Sequence, residues 1–102
     1  MIFNLKNTKY NVQYTSHFKK DFKKILKQGR DINKFLEVLS VIANGEKLNL
    51  KYKNHKLVDD KFFKNCNECH IMPDWLLVYK YQDDDLVLLL IATGSHSDLF
   101  NK

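Results

Sequence analysis

Apolar residues recur along this chain in two rhythms, period two and period 3.6. From Lys9 to Tyr14 they alternate, with Tyr10, Val12 and Tyr14 on one side, which predicts a first strand. Thr15-Ser16 then offers a helix N-cap. Phe18, Phe22, Ile25 and Leu26 follow on one helical face, Lys19, Lys20, Lys23, Lys24 and Lys27 fill the other, and Gly29 supplies a stop. Asp31 can cap a second helix whose stripe is Ile32, Phe35, Leu36, Leu39, Ile42 and Ala43, ended by Asn44-Gly45. A short connection between two amphipathic helices predicts a helical hairpin.

The second half reads as strands. Glu46 to Asn54 is polar and irregular, with Leu48, Leu50 and Tyr52 alternating, and His55-Lys56-Leu57 lies in or beside this connection. A strand is expected over Phe63–Met72, broken by Pro73-Asp74 because proline cannot continue a central ladder. Trp75–Gln82 follows as a strong strand with Asp83-Asp84-Asp85 as its turn. Leu86–Ala92 is nearly all apolar, as a strand buried on both faces should be. Gly94 bends the chain into a short tail ending at Phe100, where Ser95 can cap a final helical turn with Asp98 inside it. The expected fold is α+β: a small, mainly antiparallel sheet in β-α-α-β-β-β order, with the N-terminal helical hairpin packed on one face. The other face would be partly open, with strand ends presenting His70, Asp74 and His96 near one another.

The chain has 102 residues, which suits one domain over residues 1–102 with a modest core. With 44% hydrophobic and 13% aromatic residues it should pack rather than stay disordered. Its net charge of +5 is unevenly spread. Residues 1–56 carry thirteen Lys/Arg against four Asp/Glu, and residues 57–102 carry four lysines against eight Asp/Glu. A basic half can attract phosphates or an acidic protein, although a lysine-rich solvated surface has the same composition. Arg30 is the single arginine, so bidentate guanidinium recognition of phosphate is scarce. Met1–Lys6 lacks the apolar run of a signal peptide, and no segment approaches the ~20 apolar residues of a membrane span. Cytoplasmic residence without membrane attachment is the expectation, with Cys66 and Cys69 as reduced thiols.

Several residues could carry chemistry. Cys66-Asn67-Glu68-Cys69-His70 spells the haem-attachment pattern, but it falls on an expected strand in a chain without an export signal. A zinc site from the same residues meets a geometric objection: Cys66 and Cys69 should point to opposite faces of a regular strand. No cofactor and no metal are expected. His55, His70 and His96 are the proton-transfer candidates, since histidine exchanges protons most readily near neutral pH, while His17 at a helix start looks like a bystander. Asp74 could accept a proton or orient a histidine, and Trp75 could support the site or stack on a base. Each also has an ordinary reading, as a turn aspartate, a core tryptophan or a solvated histidine. A functional reading depends on their convergence.

Three spaced segments are distinctive: His55-Lys56-Leu57, then Glu68-Cys69-His70-Ile71-Met72-Pro73-Asp74-Trp75-Leu76-Leu77-Val78-Tyr79-Lys80, then Thr93-Gly94-Ser95-His96-Ser97-Asp98-Leu99-Phe100. Together they resemble the YafQ branch of the RelE/ParE toxin superfamily. The resemblance runs from the first strand to Phe100. It implies the toxin of a type II toxin–antitoxin pair, an endoribonuclease that enters the ribosomal A site and cuts mRNA there. It also implies a cognate antitoxin that neutralises the toxin, with operator DNA bound only through the complex. Functional positions of the branch match His55, His70, Asp74 and His96, with Trp75 and Phe100 as aromatic partners.

One departure stands out. Relatives commonly have arginine where this chain has Ala92, and one lost electrostatic contact can reduce a rate by ~10²–10³. Lys53 or Lys56 could supply a point charge instead, and Arg30 is a more remote substitute. The resulting expectation is metal-independent RNA cleavage through the 2′-OH. His70 or Asp74 would act on the base side and His96 as the acid, with His55 and lysines on the phosphate and Trp75 and Phe100 holding bases. The competing readings are a non-catalytic relative that binds antitoxin, RNA or operator DNA, a metal or haem protein, and a gyrase-directed toxin on the same fold.

Overall fold

The computed structural model describes residues 7–58, 60–61 and 63–100, so the Met1–Lys6 segment lies outside the described residues. Strand β1 (Asn11–Tyr14) leads into α1 (Ser16–Lys27) and α2 (Ile32–Ala43). After a 3-10 turn at Leu50–Tyr52 come β2 (His55–Lys56), β3 (Asn67–Met72), β4 (Trp75–Gln82), β5 (Val87–Gly94) and α3 (His96–Phe100). The sheet order is β1-β5-β4-β3-β2. β1 runs parallel to β5 and every other pair is antiparallel. The fold is therefore the expected α+β arrangement, with a β3-β4-β5 meander.

Local chemistry explains the helix ends. Thr15 Oγ1 accepts a hydrogen bond from the Phe18 N–H at 3.0 Å and caps α1, while the Asp31 carboxylate accepts from the Asn33 N–H at 3.0 Å and caps α2. Gly29 and Gly45 leave the helices with φ of +69° and +70°. The α1 stripe of Phe18, Phe22 and Ile25 is buried, as are Phe35, Val38, Leu39 and Ile42 of α2. Phe35 lies 6.1 Å from Phe18 and 5.1 Å from Phe22, ring centre to ring centre, and joins the helices.

Beneath the helices, β3 contributes Cys69 and Ile71, β4 contributes Trp75, Leu77 and Tyr79, and β5 contributes Leu88 and Leu90 to one core. Alternation sends Glu68, His70, Leu76 and Val78 to the opposite face. There a smaller cluster of Phe63, Cys66, Val78 and Ala92 is flanked by Leu57, Ile91, Leu99 and Phe100.

Two expectations need adjusting and a third holds. The strand expected from Phe63 begins at Asn67, because Phe63 turns into the smaller cluster. His55-Lys56 forms a strand of its own, paired with Asn67 and Glu68. The helical turn expected after Gly94 is the short helix α3, capped by Ser95 through reciprocal bonds in which the Asp98 N–H donates to Ser95 Oγ at 3.1 Å and the Ser95 N–H donates to Asp98 Oδ2 at 3.1 Å.

Candidate active site

The second face of the sheet gathers the titratable groups. β2 pairs His55 opposite Glu68, and Glu68 and His70 share a side of β3 two residues apart. His55 Nδ1 meets the Lys53 carbonyl oxygen at 2.8 Å, which requires a protonated Nδ1, and this leaves Nε2 turned to Glu68. The His55 Nε2 to Glu68 Oε1 distance is 3.4 Å, and His70 Nε2 lies 3.8 Å from the same oxygen. Glu68 is only 5% exposed. A carboxylate so buried demands compensation, and the two imidazoles are the groups that face it. The Glu68 side chain, absent from the sequence-derived set of functional residues, thus links two members of it. Alternation from His70 could have found it, but the partnership with His55 depends on a pairing across a loop.

His96 approaches from the other end of the same face. Gly94 and His70 both lie opposite Leu76 of β4, so β5 ends about 10 Å from His70, two ladder spacings away. Gly94 has φ +155°, and an added Cβ would stand 3.2 Å from the Asp98 carboxylate, so glycine is needed for α3 to fold back. Lys24 Nζ donates to Asp98 Oδ1 at 3.0 Å and ties α3 to α1, and with the Ser95 bonds it lowers the Asp98 pKa. His96 is exposed and lies 4.9 Å from Phe100, ring centre to ring centre. Phe100 is half-buried and meets Phe63 edge-on at 5.7 Å.

Asp74 and Trp75 have other partners than a histidine. Arg30 Nη1 and Nη2 donate to the two Asp74 oxygens at 3.3 and 3.4 Å, and this guanidinium holds the Asp74 carboxyl below its ordinary range. Arg30 also lies over the Trp75 ring at 5.7 Å. Trp75 is 0% exposed, stacked near Phe35 at 6.2 Å, with Nε1 donating to Thr93 Oγ1 at 2.8 Å. A nucleobase finds no free face on it, so support is the role left to Trp75, and the expected base-stacking role falls away.

The lysines divide. Lys53 adopts a left-handed backbone (φ 50°) and lines a groove with His70, whereas Lys56 lines a separate hollow with Leu57, Val58 and Asp60. Lys80 follows Val78 on the same face of β4 and lies near enough to Cys66 to draw its thiol pKa down, although burial dominates and raises it. Ala92 is 0% exposed within the Phe63 cluster, so the position where the resemblance leads one to expect arginine is a buried methyl group. Cys69 lies in the helix-side core, its thiol pushed up to about 12 by burial, and Cys66 lies in the opposite cluster. The two thiols therefore diverge and cannot share a zinc ion.

The whole arrangement matches known proteins. Residues 10–101 fit the family described as the bacterial toxin of type II toxin–antitoxin system, YafQ. The chain belongs to the YafQ toxin family. The mRNA interferase toxin YafQ of Escherichia coli strain K12 is 32% identical over 91 residues, covering 88% of this chain and 95% of that protein. The E. coli DinJ–YafQ toxin–antitoxin complex contains a chain that superposes with a TM-score of 0.79 at 31% identity, covering 90% of this chain and 98% of its own. A metal-bound toxin from Helicobacter pylori superposes with a TM-score of 0.81 at 36% identity, covering 89% of this chain and 99% of its own. Among the described residues here, no group of three or more His, Cys, Asp or Glu is arranged to hold a metal ion. In the nearest approach, His55, Glu68 and His70, the side chains face one another directly.

Proposed function

We propose that this YafQ-family toxin is an endoribonuclease that cleaves mRNA on the ribosome and is neutralised by a cognate antitoxin, acting in the cytoplasm. The observation that carries the reading is the His55–Glu68–His70 cluster facing the same side as His96, on a sheet face that no long helix covers. RNA carries its own nucleophile. Cleavage needs a base for the 2′-OH proton, an acid for the departing 5′-oxygen and positive charge at the phosphate. None of these roles calls for a metal.

The geometry favours His70 as the base, oriented by Glu68, and His96 as the acid. His55 then places charge near the phosphate while helping to neutralise Glu68. Asp74, ionised and committed to Arg30, suits anchoring the β3–β4 turn better than proton abstraction, because a carboxylate of lowered pKa is a weaker base. Phe100, packed beside His96, is an aromatic group that can approach a base at this end of the face. Lys53, which lines a groove with His70, would contact phosphate. Programmed ribosomes incubated with the purified protein should yield new mRNA 5′ ends within the A-site codon. Intact mRNA at stoichiometric toxin would reject the assignment.

Ala92 favours a second reading, a toxin-family member that binds its partners without cutting RNA. On that reading the protein should occupy the A site and leave mRNA intact.

A further inference from the structure

Beside the histidine cluster, a groove of about 300 Å³ is lined by Lys34, Lys51, Tyr52, Lys53, His70, Ile71, Met72 and Pro73. It opens where β2 has ended. β2 covers only Asn67 and Glu68 of β3, so the second half of that strand is flanked by the Leu50–Tyr52 turn instead of by a strand. Lys34 overhangs the groove from the first turn of α2, and Lys51 and Lys53 reach it from the turn. Three lysines therefore contribute to a lining whose residues include no carboxylate. Tyr52 packs part of its ring against the helix-side core, and Lys51 Nζ stands 5.2 Å from the ring centre.

The geometry points to this groove as the seat of one nucleotide of a single-stranded RNA next to the cleaved bond, with Tyr52 as its stacking platform and Lys34 and Lys51 on its phosphates. The inference rests on the nuclease reading of His70. Charge complementarity selects a polyanion. The aromatic ring among lysines selects one with flat bases, since unpaired nucleotides bind by combining stacking with backbone contacts. Continuity decides the position, because His70 forms both a wall of the groove and a member of the cluster. A strand with its scissile phosphate at His70 must continue to one side, and this groove adjoins His70 with matching charge.

The test uses the full-length toxin and a short fluorescein-labelled oligoribonucleotide with 2′-O-methyl groups, which cannot be cut through the 2′-oxygen. Fluorescence anisotropy reads its affinity. Lys34→Glu with Lys51→Glu should weaken binding ~10-fold or more and flatten the salt dependence by roughly 1.4 in log–log slope, from two lost phosphate contacts on a single strand. Tyr52→Leu, which keeps bulk against the core, should weaken binding about tenfold with little change in slope. Lys20→Glu with Lys27→Glu, a charge-matched change on α1, should alter binding no more than about threefold.

Equal losses from both charge reversals would overturn the groove as a site and leave a diffuse basic surface. So would wild-type affinity in the Lys34/Lys51 and Tyr52 variants. If those variants instead lose an acidic antitoxin-like peptide while keeping the oligonucleotide, the groove is a protein-docking surface and the proposal fails. Cleavage on programmed ribosomes is scored separately. Cleavage by wild type with unchanged oligonucleotide binding in the variants rejects the groove and keeps the nuclease. Groove-dependent binding without cleavage upholds the groove and rejects the nuclease.

Discussion

The two faces of the sheet are built from the same strands and carry opposite chemistry. On β3, Cys69 and Ile71 turn towards the helices while Glu68 and His70 turn away. On β4, Trp75, Leu77 and Tyr79 enter the helix-side core while Val78 enters the small cluster and Lys80 follows it. The helix side is aromatic and closed. Two of its hydroxyls are bonded within it, Tyr79 to Asn54 at 2.5 Å and Tyr81 to the Ile42 carbonyl at 2.7 Å. Burial raises the pKa of both phenols, that of Tyr81 to about 12. The opposite side is shallow and holds a buried carboxylate between two imidazoles. Stability and chemistry are thus assigned to alternate residues, and substitutions should sort by face.

The largest expected effect lies on the helix side. Trp75→Ala removes the ring next to Phe35 and the donor to Thr93, and should reduce unfolding free energy by ~3–5 kcal/mol in urea titrations. A loss under about 1 kcal/mol would mean that Trp75 is not the keystone of this core. On the other face, His96→Gln should lower mRNA cleavage by ~10² or more with an unchanged urea midpoint. A midpoint that falls along with activity would blur the division between faces.

Ala92 offers an intermediate case, because it is buried and yet lies on the same side of the sheet as Val78 and Phe63. Ala92→Arg must push into Phe63 and Phe100, and a cost of about 1–3 kcal/mol is expected. Should this variant also cleave faster, the apolar cluster has replaced a phosphate contact that the site could still use. The smallest effect belongs to Asp74. Its pKa is lowered by Arg30, so its pairing favours folding above the ordinary carboxylate value of about 3.9 and is lost as pH falls through the lower folded value. The Asp74 side chain is 73% exposed although that of Arg30 is 21% exposed, so water screens the pair from the carboxylate side, and Asp74→Asn should shift the midpoint little near neutral pH. An acid limb in the cleavage rate above pH ~5 should persist in Asp74→Asn, and its disappearance would return the base role to Asp74.

The sequence pattern was legible wherever the signal was local. The α2 boundaries and those of β4 follow from caps, stripes and the Pro73-Asp74 break, all within a few residues. β2 was hidden because two residues carry no periodicity, and its identity depends on pairing with Glu68. Of the candidate residues, His55 and His70 do meet, but through Glu68, whose place in a Cys-x-x-Cys-His run drew attention to thiols instead of alternation. Trp75 and Asp74 are legible as positions, but their partners are not. The tryptophan ring is consumed by the core and the carboxylate by Arg30, both through contacts with the distant helical hairpin.

Acid–base work by the open face through the His70–Glu68 pair is tested most directly by single-turnover cleavage by His70→Gln on programmed ribosomes. The prediction is a rate lower by ~10² or more than wild type, from a protein with wild-type urea midpoint and wild-type ribosome binding. Cleavage within about twofold of wild type by that folded, ribosome-bound variant would contradict it.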